Sequence, residues 1–207
     1  MWPELHRHHH LVSAEPAKLR PTQMTVGRAE VATKRREWAA LNHKERTETL
    51  QQEVFPAVLG LDHRYYIIDH HHLGLALIEE GVDQVWIAPQ DDLSWLAPDV
   101  FWRTMEFRAW AHPFDSRGRR RDWRDIPRSL TQMKDDPYRS LANRVHEAGG
   151  YAKSPAPYAE FLWADFFRAR VAAGTVRRNS PLAVRAGVKF AKSPAARYLP
   201  GWSGRTR

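Results

Sequence analysis

The chain has 207 residues, 43% of them hydrophobic and 9 of them Trp, which suits one domain, or one with an elaborated tail, and is too apolar for general disorder. No cysteine is present, which excludes a disulfide scaffold, a thiolate zinc site and a cysteine nucleophile. The formal charge of +8 is unevenly spread: residues 1–107 hold 11 Lys and Arg against 16 Asp and Glu, and residues 108–207 hold 21 against 8.

Residues 1–16 read as a flexible leader, with no role for His8, His9 and His10. Met1-Trp2-Pro3-Glu4-Leu5-His6 lacks the basic-then-apolar layout of a secretory signal. No apolar run approaches the roughly 20 residues of a membrane span, so no membrane partner is expected and the cytoplasm is the default location. Leu19-Arg20-Pro21-Thr22-Gln23 is expected to run extended, because a residue before proline is pushed out of the helical region. Gly27 precedes a helical stretch in which Val31, Trp38 and Leu41 share a face. Asn42 and Glu45 have capping-box spacing, which predicts a second helix to about Glu53.

Val54-Phe55-Pro56-Ala57-Val58-Leu59 reads as a strand with its proline near the start or on an edge. Gly60 to His63 reads as a turn, and Tyr65-Tyr66-Ile67-Ile68 as a strongly β-prone second strand. Asp69 stands between that strand and a helix carrying Leu73, Ala76, Leu77 and Glu80, stopped by Gly81. Gln84 to Ala88 reads as a third strand. The order strand, turn, strand, acid, helix, strand describes a small mixed α/β core.

Beyond it the chain reads as mostly helical. Asp99 is placed to cap a helix through Phe101, Trp102, Met105 and Phe107, and Asp115 to Arg121 is a loop by composition. Asp136 and Pro137 match an N-cap followed by proline, with Gly149-Gly150 ending that helix. Pro157 opens a helix carrying Phe161, Leu162, Trp163, Phe166, Phe167 and Val171, apolar over a wide enough arc to be largely buried. After Asp165 there is no acidic residue, while ten Lys and Arg follow between Arg168 and Arg207. Pro181, Pro194 and Pro200 break this basic stretch into short pieces.

Asp69-His70-His71-His72 is the sharpest chemical feature, because of where it sits. A helix that starts just after a strand aims unpaired amides and its positive dipole end outward, which favours phosphate or another anion. Histidines there can donate to phosphate oxygens, while Asp69 can cap the helix, orient an imidazole or hold a metal. The plainer arrangement makes Asp69 an N-cap only, with the histidines packed or exposed.

Tyr66-Ile67-Ile68-Asp69-His70-His71-His72-Leu73, preceded by Leu19-Arg20-Pro21-Thr22-Gln23, resembles the putative ParB-like nuclease family of the ParB/sulfiredoxin superfamily. The likeness continues through Phe101-Trp102, Asp136-Pro137-Tyr138-Arg139-Ser140-Leu141-Ala142, Gly149-Gly150-Tyr151 and Glu160 to Arg168, and so covers about residues 17–172. It implies an α/β (α+β) fold: a small mixed-sheet ParB/sulfiredoxin-like core at about 17–90, a helical elaboration at about 91–172, and a basic C-terminal arm at 173–207. It also implies a strand-to-helix junction that binds phosphate or nucleotide. In many relatives that junction reads Asp-Gly-His-His-Arg; here His70 stands for the glycine and Leu73 for the arginine. Sulfiredoxin chemistry is excluded by the lack of cysteine, and no helix-turn-helix is recognisable, so chromosome partitioning is not implied.

The site expected from this resemblance has Asp69 as base or orienting group, with His71 and His72 binding or protonating a phosphate group. Arg20, Thr22, Gln23 and His70 join as phosphate- or nucleotide-binding residues; Arg139 either contributes to the anion site across from His71 or forms a local ion pair beside the Asp136 cap. Phosphate-ester hydrolysis or phosphoryl transfer is the activity, on a nucleotide or phosphorylated small molecule. A divalent metal held by Asp69, His71 and His63 is the less favoured alternative. The rival is a non-catalytic module that grips a nucleotide and docks on nucleic acid through the basic arm. Glu160, Asp165 and Arg168 read as architecture fastening the helical part to the core, and the Arg119 to Arg124 loop as either a nucleic-acid contact or an exposed loop anchored by Trp123.

Overall fold

The computed structural model describes residues 11–204. Seven short strands and eight helices alternate along them. Strand β1 (Val12–Ala14) is followed by β2 (Arg20–Pro21), β3 (Thr25–Val26), α1 (Arg28–Ala40) and α2 (His43–Gln52). Next come β4 (Phe55–Leu59), β5 (Tyr65–Ile67), α3 (His71–Glu79), β6 (Val85–Asp92) and α4 (Pro98–Phe107). The chain then runs through β7 (Lys134–Asp135), α5 (Pro137–Glu147), α6 (Ala159–Arg168), α7 (Ala173–Arg177) and α8 (Pro181–Ala191).

The main sheet has the order β1-β6-β4-β5-β2. Strand β4 runs antiparallel to β5 and parallel to β6, β5 runs parallel to β2, and β1 runs antiparallel to β6. One face packs against α1 and α3 through Phe55, Ile67, Leu75, Leu77 and Ile87. The other is covered by α4, whose Phe101, Trp102 and Met105 meet Val58 and Tyr66. A separate apolar cluster joins α5 to α8, centred on Trp163, Phe166, Phe167 and Val145. The parallel pair β3–β7 ties the two halves, with Thr25 opposite Lys134 and Val26 opposite Asp135.

Several local expectations match. Asn42 caps α2 in a complete capping box, and Asp136 accepts the Tyr138 amide at the start of α5, with Pro137 in its first turn. Arg168 bonds Asp165 and reaches Asp136, and Glu160 lies 3.6 Å from Arg139, so this set ties α6 to α5 within the helical part and not, as expected, to the core. Other expectations need correction. Residues 12–14 of the supposed leader form the edge strand β1, with Val12 opposite Ile87, and Pro16 is buried. The expectations for residues 1–10, His8 to His10 included, lie outside the described residues. Strand β6 continues past Pro89 to Asp92, because the register shift opposite Ala57 and Val58 accommodates the proline. Helix α4 starts at Pro98 with Ala97 as cap, and α6 starts at Ala159 after a left-handed Tyr158.

The basic segment after Gly174 is not an extended arm. Val176, Ala183, Ala191, Ala196 and Leu199 are buried in the α5–α8 cluster, and α8 crosses α5 where a Cβ at Gly187 would clash with Val145. Only one side of each short helix is basic, and the other side supplies the apolar burial that folds it. None of the described helices is long and apolar enough to cross a membrane.

Candidate functional site

Strand β5 delivers the chain to the junction at Ile68. Thr22 Oγ1 donates to Ile67 O at 2.8 Å, which stitches the segment after β2 beside the junction. The helix that follows is not capped by Asp69. Its cap is His70, in the left-handed region at φ 63°, and no side chain caps α3, so the amides of its first turn are open. The Asp69 carboxylate accepts its neighbour's amide, His70 N–H, at 2.7 Å. The chain therefore places a histidine in a left-handed backbone conformation that glycine adopts freely, at a cost of about 1 kcal/mol.

The three imidazoles point three ways. His70 turns from the junction towards α2: Nδ1 lies 3.3 Å from Glu53 and the ring tilts on Phe55 at 5.6 Å. His71 is 2% exposed, and its Nε2 accepts the Thr22 amide at 3.2 Å, which assigns the proton to Nδ1. Burial, then the nearby charge of Arg139, holds this ring neutral, with a pKa well below the ordinary 6.5. His72 Nε2 lies 2.7 Å from Glu30 Oε2 and 2.9 Å from Gly27 N. One ring nitrogen serves only one of these at a time: protonated, it donates to Glu30; bare, it accepts from Gly27. Burial pushes the Glu30 carboxyl up, but the His72 hydrogen bond and charge, with Arg139 and Lys34, outweigh it and hold the group below its usual 4.5.

A cleft of about 1410 Å³ opens between this junction and helices α5 and α6, lined by Gln23, Glu30, Asp69, His71, His72 and Arg139 among others. Arg139 is 4% exposed. It donates to Thr25 O at 2.6 Å and Gln23 Oε1 at 3.2 Å, packs 4.0 Å over the Phe161 ring, and lies 3.6 Å from Glu160. Its Nε has no partner among the described residues, nor do Ser140 Oγ and Tyr158 OH, which belong to the same cleft. Burial lowers the Arg139 pKa while Glu160, Glu30, Asp136 and Asp69 oppose that, and the guanidinium stays charged. His112 packs 4.0 Å from Phe161 and 4.6 Å from Tyr158 and is pushed by burial, then by Arg139, to a pKa of about 3.

Of the residues singled out in the sequence, Asp69, His71, His72, Gln23 and Arg139 converge on the cleft. Thr22 is fully buried behind His71 and acts by positioning it. Arg20 does not line the cleft; its guanidinium donates to Arg128 O. Neither does His70. Among the described residues no group of three His, Asp or Glu side chains is arranged to hold a metal, so the Asp69, His71 and His63 set is not assembled. Glu30, His112 and Tyr158 were missed. No short-range pattern marks them, because Glu30 and Tyr158 reach the cleft, and His112 packs behind Tyr158 and Phe161, only through tertiary packing.

The small mixed sheet with its helical extension is a mixed α/β fold. The chain belongs to the putative ParB-like nuclease family, which it matches over residues 8–169. It is similar to protein Atu1540 from Agrobacterium tumefaciens, whose crystal structure superposes with a TM-score of 0.88 at 43% identity, covering 95% of this chain and 99% of that one. No curated protein matches the sequence.

Proposed function

We propose that the cleft binds the phosphate group of a nucleotide or phosphorylated small molecule at the start of α3. The observation that carries this reading is Arg139: a buried guanidinium with an unpartnered Nε, in the wall of a cleft that also contains the uncapped α3 terminus. A buried charge left short of partners is costly unless a ligand completes its shell. In this reading the α3 amides and the Nδ1–H of His71 donate to phosphate oxygens while Arg139 balances their charge. Gln23 fixes the arginine.

Phosphate-ester hydrolysis or phosphoryl transfer at the same place is the catalytic form of the reading. Asp69 is the carboxylate for it, being exposed at the cleft and, among the described residues, engaged only by the adjacent amide. It would take the proton of an attacking hydroxyl as the new phosphorus–oxygen bond forms and the bond to the ester oxygen breaks, that oxygen leaving with the electron pair and taking a proton from solvent. The non-catalytic form gains support from His71, whose Nε2 is already committed to Thr22 and so is not free to act as a base.

A thermal-shift panel of inorganic phosphate, nucleotides and phosphosugars tests the binding. A ligand at 100 times its Kd adds about 2.7 kcal/mol to stability. That shift should vanish in Arg139→Gln and survive in Asp69→Asn, whereas turnover of any ester should vanish in both. A ligand shift undiminished in Arg139→Gln sinks the reading.

A further inference from the structure

We infer that the outer face of α7 and α8 is a docking surface for the phosphodiester backbone of nucleic acid. Arg177, Arg178, Arg185, Lys189, Lys192 and Arg197 are all exposed, and none pairs with a carboxylate among the described residues. Earlier in the chain paired and unpaired cations are mixed: Arg28 and Arg35 pair with Glu79, Arg108 with Asp91, and Arg120 with Glu106, while Arg64 and Arg117 have no carboxylate partner among the described residues. The contrast follows from the sequence, which has no acid after Asp165. Such a surface repels itself and gains by meeting a polyanion.

Geometry fixes the row. Ala183, Gly187 and Ala191 recur every fourth residue on the buried side of α8, so Arg185, Lys189 and Lys192 lie together on the opposite side. They span about 10 Å of helix axis, enough to face about three phosphates of one strand. A rigid row of this kind suits a nucleic-acid backbone. A bilayer is the poorer match, because α8 spends its apolar face on α5, and the large exposed apolar residues hereabouts are Leu182 and Tyr198. The face starts at the rim of the cleft: Asn179 lines the cleft and accepts from Arg144 at 3.2 Å through its carbonyl. This surface stands independently of the phosphate reading of the cleft.

Fluorescence anisotropy of a labelled 20-base-pair duplex with the full chain is the test. With about three phosphate contacts, affinity should fall about 40-fold between 50 and 200 mM salt. The pair Arg185→Glu and Lys189→Glu should weaken binding at least tenfold at low salt, and the Gln pair by less; the Gln pair keeps the test intact if the Glu pair misfolds. Duplex affinity that ignores both pairs, or salt-dependent binding to phosphatidylserine vesicles with none to the duplex, overturns the inference.

Discussion

His70 shows how one residue reconciles local strain with packing. Its left-handed backbone is a conformation that glycine adopts freely, yet its ring rests on Phe55 and faces Glu53. The His70→Gly change trades relief of strain against those contacts and should alter unfolding free energy by no more than about 1 kcal/mol. His70→Val keeps the strain with a branched Cβ and should cost about 2 kcal/mol or more, read by urea denaturation. The buried histidines set a pH dependence. His71 and His112 are neutral in the fold and titrate near 6.5 when unfolded, so the unfolded chain binds more protons once pH drops below that value. Stability should fall as pH falls below about 6.5, by up to about 1.4 kcal/mol per pH unit for each ring, and for His112 down to about pH 3. His112→Phe preserves the stack with Tyr158 and Phe161 and should flatten the slope, measured as unfolding free energy between pH 4 and 7.

At the scale of elements, what the sequence disclosed was local. The capping box of α2, the Asp136-Pro137 start of α5 and the β5–α3 junction each follow from chemistry within a few residues, and each is present. The edge strand β1 was hidden because a three-residue strand has too little pattern to read and is specified by its partner Val85–Ile87. Glu30 was hidden for a similar reason: its value lies in meeting His72, 42 positions away in sequence, 2.7 Å away in space. Asn42→Ala should remove about 1 kcal/mol of stability by unsatisfying the α2 cap while leaving ligand shifts in the cleft unchanged, since α2 does not line it. Gly187→Ala tests the α5–α8 crossing: the added methyl meets Val145, and overpacking of this sort should cost about 1–3 kcal/mol, seen as a lower Tm.

For the whole molecule, the division between a catalytic core and a detachable basic tail does not describe what the chain builds. The α5–α8 cluster draws on residues from Tyr138 to Trp202, and Arg139, which anchors one wall of the cleft, stands on α5 within it. Removing residues 175–204 strips Val176, Ala183, Ala191 and Leu199 from that cluster. The truncated chain should expose Trp163 to solvent, shift its fluorescence to the red and lose any ligand shift in the cleft. An unchanged emission maximum with ligand binding retained would show that the core closes the cleft alone.

The Pro-rich strap from Tyr151 to Tyr158 forms part of the cleft wall and is held from behind by residues far along the chain. Ala152 N–H donates to Gly201 O at 2.8 Å, and Trp163 Nε1–H donates to Pro200 O at 2.8 Å. Synthesis delivers the chain from its N-terminus, so the junction, the buried arginine and the strap all leave the ribosome before the residues that clasp them. A nascent chain thus carries every residue that lines the cleft before it carries the two carbonyls, of Pro200 and Gly201, that clasp the strap and Trp163 from behind.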